Sequence, residues 1–71
     1  MKTKLERKET NQALFVYHGI HFDEKGKPYI EVKGTRPVVF RKAVYLDFNS
    51  NTHYSANSYI YWLLSQGFKR V

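Results

Sequence analysis

Between residues 13 and 22, Leu14, Val16, Ile20 and Phe22 alternate with Phe15, Tyr17 and His21, the period of two that a half-buried strand requires. His18 falls on the apolar side of this pattern, and Gly19 beside it predicts a bulge or a bend where the register slips. Asp23-Glu24-Lys25-Gly26-Lys27-Pro28 then reads as a tight turn, Asp opening it and Gly supplying positive φ, so the next strand runs antiparallel. In Tyr29–Lys33 the apolar Ile30 and Val32 take one face while Tyr29, Glu31 and Lys33 take the other. Gly34-Thr35-Arg36-Pro37 predicts the end of that strand. Alternation resumes over Val38–Phe48, with Val44, Leu46 and Phe48 against Tyr45 and Asp47, and Arg41-Lys42 reads as a bulge or a turn between two short strands.

After the loop Asn49–Thr52 the spacing changes to that of a helix over Ser55–Gln66. Ala56, Ile60, Leu63 and Leu64 form its stripe, with Tyr59 and Trp62 on the flanks. Ser55 and Thr52 are both placed to cap the first turn, and Gly67 stands where a left-handed residue ends a helix, with Phe68 for the accompanying apolar contact. Phe68–Val71 is either a short edge strand or a tail. The first twelve residues, nearly all polar with Leu5 as their one large apolar side chain, read as a flexible basic arm. The expected architecture is therefore α+β: residues 1–12 a flexible arm, and residues 13–71 one domain in which a small antiparallel β-sheet of three to four strands lies on one C-terminal helix. Its inner face holds Leu14, Val16, Ile20, Phe22, Ile30, Val32, Val44, Leu46 and Phe48.

The outer face is the unusual one. Phe15, Tyr17, Tyr29 and Tyr45, with His21 and Lys33 among them, have no second layer in the sequence to cover them. Charge sharpens this picture: 12 Lys and Arg against 6 Asp and Glu give a net charge of +6, and so strong a positive field favours an acidic partner. The cations gather at the turns and termini: Lys25 and Lys27 at the hairpin tip, Arg36, Arg41 and Lys42 further on, Lys69 and Arg70 at the end, and Lys2, Lys4, Arg7 and Lys8 in the arm. Rings interleaved with cations suit nucleic acid, because bases stack on the rings while Lys and Arg neutralise phosphates. The same rings also suit a dimer seam or an ordinary solvated strand face, where aromatics pair across strands.

Chemistry has little purchase here. There is no Cys, which removes disulfides and thiolate metal sites, and His18 and His21 point to opposite faces of a strand, so no single metal is chelated by both. His53 stands alone in a loop, and Asp23 and Glu24 are accounted for by the turn. No catalytic residue, cofactor or metal is expected, and no recognition motif for RNA, zinc or phosphate is present. No apolar run reaches the roughly 18 residues that span a bilayer, and the N-terminus lacks the apolar core of a signal peptide, so an intracellular, cytoplasmic protein without membrane contact is expected. Three-stranded sheets backed by one helix are laid in the DNA major groove by some integrase arm-binding and plant AP2-type domains, an analogy of architecture without shared motifs. The expectation is a small nucleic-acid-binding protein, for DNA above RNA, with a regulatory or accessory role. The alternative is a protein-binding inhibitor or modulator of viral or mobile-element type, acting on an acidic surface of a host protein through the same aromatic patch. With so small a core, a homodimer is the further expectation.

Overall fold

The computed structural model describes residues 1–71. Six strands and one α-helix follow in the order β1 Lys2–Arg7, β2 Gln12–Tyr17, β3 His21–Phe22, β4 Pro28–Arg36, β5 Phe40–Tyr45, α1 Ala56–Ser65 and β6 Lys69–Arg70, with a single 3-10 turn at Lys8–Thr10 between the first two strands. The α+β class, the antiparallel sheet and the C-terminal helix are those the periodicity predicts. The strand count is larger than the expected three to four because two strands are only two residues long and one lies where a flexible arm was expected.

That arm is a strand. Lys2–Arg7 pairs with β2 from Lys2↔Tyr17 to Arg7↔Gln12, and its other edge pairs with β6. Leu5 is completely buried at its centre. Arg7 fastens the end of β1: its guanidinium donates to Gln12 Oε1, to Thr10 Oγ1 at 3.0 Å and to the Gln66 carbonyl at 2.8 Å, and lies 4.8 Å from the centre of the Phe68 ring. The chain start thus closes onto the helix end.

β4 is the spine of the other half. β5 occupies one of its edges over residues 29–34, while β2 and β3 share the opposite edge, pairing with residues 32–36 and 28–29. β2 and β3 are one strand interrupted at His18-Gly19-Ile20, where the four residues between Val16 and His21 lie against the two between Val32 and Tyr29. The slip expected at Gly19 occurs there. The hairpin turn also forms as expected: Asp23 Oδ1 accepts from the Lys25 and Lys27 amides at 2.9 and 2.8 Å, and Gly26 has φ 77°.

Two predicted breaks do not exist. Gly34 continues β4 instead of ending it, and Arg41-Lys42 lies inside an uninterrupted β5. The physical reason at Gly34 is the ring of Phe40, its partner on β5, which lies flat over the glycine: a Cβ there would fall 1.9 Å from Phe40 Cε1. Gly34 is a contact-driven glycine, not a turn glycine. Gly34→Ala should destabilise the domain by about 1–3 kcal/mol, the range for overpacking, and most of that loss should vanish in a Phe40→Ala background. A thermal melt of the two single variants and the double variant checks this, since additive losses would mean that ring and glycine do not oppose each other.

The core lies between the inner face and α1. Leu5, Leu14, Val16, Ile30, Val32 and Leu46 come from the sheet side, and Ala56, Tyr59, Ile60, Leu63 and Phe68 from the helix and the residues after it. Ser55 caps α1 in a reciprocal box with Ser58, each hydroxyl accepting from the other's backbone N–H. At the other end Gly67, with φ 96°, lets the amides of Phe68 and Gly67 reach the Leu63 and Leu64 carbonyls, the Schellman closure that the Gly67-Phe68 pair predicts. Three expected core residues are corrected: Ile20, Phe22 and Phe48 are exposed, at 48%, 67% and 69%. Phe22 keeps the inward parity opposite Pro28, but α1 lies chiefly against β2 and β6 and leaves both Phe22 and Ile20 uncovered. Tyr59, expected on a flank, is buried, and that burial raises its phenol above the usual tyrosine range.

Candidate nucleic-acid interface

The pairing register decides which side chains share the outer face. Lys4 and Lys33 both lie opposite Phe15, Lys2 opposite Tyr17, Arg41 opposite Lys33, Tyr45 and His21 opposite Tyr29, and Lys69 opposite Glu6. Arg36 joins them through a bulge. Leu14 pairs with Gly34 but Ala13 with Arg36, so Thr35 is an extra residue in β4 and Arg36 is turned to the side of Ala13 and Glu6. Its guanidinium lies 2.9 Å from Glu6 Oε2.

Six cations, Lys2, Lys4, Lys33, Arg36, Arg41 and Lys69, therefore share one face with only two carboxylates, Glu6 and Glu31. Phe15, Tyr17, His21, Tyr29 and Tyr45 stand between them. The rings are not bare. The Lys2 ammonium sits 4.6 Å from the centre of the Phe15 ring and 5.9 Å from that of Tyr17, and Lys4 is 5.8 Å from Phe15. His21 stacks on Tyr29 with centres 5.4 Å apart, and Tyr45 leans on the same ring at 5.6 Å. Such ring–cation contacts hold the ammonium groups in place while leaving their N–H donors to solvent.

The face has two electrostatic halves. Around Phe15 the cations dominate. Around Tyr29 they are offset, because Glu31 lies 3.4 Å from His21 Nε2 and 3.9 Å from Arg41 Nη1. At that end the Lys27 and Lys25 amides hold the Asp23 carboxyl below the usual carboxylate range despite partial desolvation. Desolvation first, and then the neighbouring Asp23 carboxylate, push the Tyr45 phenol above its usual range.

Of the residues picked out from the sequence, Phe15, Tyr17, His21, Tyr29, Lys33, Arg36, Arg41 and Tyr45 are brought to one face. Lys42 is not: it pairs with Val32 and points to the helix side, beside Phe40, because consecutive residues of an unbroken strand alternate. Lys25 and Lys27 stay at the hairpin tip, beyond the paired strands. His18 lies on the opposite side from His21, bonded to Thr3 Oγ1 at 2.7 Å, and His53 to Thr52 Oγ1 at 2.7 Å. Lys2 and Lys4, in the segment that reads as an arm, also belong to the face, and so does Lys69, because Lys69–Arg70 forms the edge strand that is one of the two readings of the C-terminus. A signal for the first two was present, since Lys2, Lys4 and Glu6 alternate with Thr3 and Leu5.

Comparison of the chain with known protein families, with characterised proteins and with solved structures finds no match. The geometry of this face carries the functional argument alone. No helix is long and apolar enough to cross a membrane.

Proposed function

We propose that the protein binds nucleic acid, duplex DNA, across the outer face of its sheet, in a regulatory or accessory role. The observation that carries the reading is the convergence of Lys2, Lys4, Lys33, Arg36, Arg41 and Lys69 from four strands onto one uncovered face, with two of the lysines held over aromatic rings. Phosphate neutralisation by several cations is the dominant sequence-independent source of affinity for DNA. Because Phe15 is overlaid by lysines and Tyr29 is flanked by His21 and Tyr45, the rings serve as supports for charge more than as free platforms for bases. That favours a duplex backbone over a splayed single strand.

Sheet width supports the same mode. Five strands abreast, at about 4.8 Å per strand, span roughly 19 Å, more than the ~12 Å of the major groove. The sheet straddles the groove and meets phosphates on both sides, unlike the narrower three-stranded sheets that enter it whole. Contacts of this kind position a protein without reading bases. Fluorescence anisotropy with duplex DNA, single-stranded DNA and duplex RNA over a salt series tests the proposal. The expected result is a linear fall of log K with log salt and no weaker binding to duplex than to single strands; absence of binding at 50 mM salt overturns it.

The near-neutral half around Glu31, His21 and Tyr29 favours a second reading, docking on a protein through the aromatic residues. Affinity insensitive to salt and lost in Tyr29→Ala would establish that reading.

A further inference from the structure

β5 is an edge strand whose outward backbone groups can be identified. The Leu46 amide donates to the Pro28 carbonyl at 2.9 Å, which makes Leu46–Pro28 a hydrogen-bonded pair in the β4–β5 register. Hydrogen-bonded and non-bonded pairs alternate along an antiparallel ladder. Val44, Lys42 and Phe40 therefore direct their N–H and C=O groups at β4, and Arg41, Ala43 and Tyr45 direct theirs away from it. No turn, loop or cap uses the amides of these three residues. Only further along is that edge occupied, where the Asp47 amide reaches the His53 carbonyl at 2.8 Å. Three donors and three acceptors thus face solvent in a row, at the spacing that another extended chain would match.

We propose that this edge accepts an extended acidic segment of another protein as an additional antiparallel or parallel strand. Two observations choose the occupant. Arg41 and Lys42 are adjacent and exposed, so one cation rises on each face of the edge, and a segment with carboxylates on both faces would meet both. The flanks are apolar and open: Val38 and Val39 are 67% and 72% exposed, and Tyr45 50%. Lysine on an edge also deters pairing between identical chains. A second copy would bring the same two cations and a net charge of +6 to this edge, so self-pairing is disfavoured where an acidic strand is attracted.

This site is distinct from the outer face, although Arg41 and Tyr45 lend their side chains to that face. The substitution that separates the two is Ala43→Pro. Proline lacks the N–H that an added strand needs, yet at this position the missing N–H points away from β4, where edge strands tolerate proline. A display library of random 12-residue peptides is selected on the parent protein and the enriched peptides are then titrated, with amide spectra recorded. Enriched peptides should carry Asp or Glu at spacings that serve both faces. They should shift the Arg41, Ala43 and Tyr45 amides above all others, and should lose at least tenfold in affinity for Ala43→Pro while DNA affinity is unchanged. Should Ala43→Pro fail to give a folded spectrum, Arg41→Glu with Lys42→Glu serves instead and should weaken the same peptides by a similar factor. No enrichment, enrichment of peptides without acidic residues, or equal binding to the folded variants would overturn the proposal. Loss of DNA binding by the parent would overturn only the reading of the outer face.

Discussion

Leu5→Ala is expected to cost about 2–5 kcal/mol of stability, the range for truncating a large aliphatic side chain in a closed core, and Leu5→Asp to prevent folding by burying an unpaired carboxylate. Leu5 is completely buried, sits opposite Leu14 on one side and Arg70 on the other, and belongs to the cluster that contains Val16, Ile60 and Phe68. A domain of this size has little stability to lose, with total stabilities of small proteins on the order of 5–15 kcal/mol. Deleting residues 1–7 removes a strand with partners on both edges and should leave β6 without its only neighbour. Urea unfolding followed by circular dichroism measures both effects. A freely mobile arm would give no change in the transition midpoint for any of these variants, and that outcome would refute the placement of β1 inside the sheet.

Substituting glutamine for Lys2 and Lys33 together should weaken duplex DNA binding by on the order of 50- to 100-fold near 0.1 M salt and reduce the salt slope by about two, roughly one per phosphate contact. Neither lysine is in an ion pair, so both charges are available to phosphate. Both lie in the cationic half, against Tyr17 and Phe15. A charge-matched control replaces Lys8, in the 3-10 turn, and Arg70, which pairs with the inward-facing Leu5 and lies over Tyr61 on the helix side. The same net charge is lost, but not from the face. Titrations of the two double variants across salt should diverge strongly. If both lose affinity equally, overall charge drives binding and the outer face has no special part in it.

What the sequence determined by itself were the features that depend on near neighbours. Period-two alternation places Ile30 and Val32 inside and Tyr29 and Lys33 outside, Asp23 and Gly26 close the hairpin, and Ser55 and Gly67 bound the helix, each through atoms within a few residues. The aromatic members of the outer face follow from the same parity. Tertiary structure alone decided the rest, because its causes lie far apart along the chain. Lys2–Arg7 carries too little apolar surface to announce a strand, and becomes one because β2 and β6 satisfy both its edges and the helix covers Leu5. Gly34 looks like a break until the Phe40 ring arrives from the next strand to need its missing side chain. Arg36 reaches the cationic face only through an extra residue that pairing with Ala13 reveals. Ile20, Phe22 and Phe48 have the pattern of core residues, but burial requires a covering layer, and one ten-residue helix is too short to cover a sheet of this length.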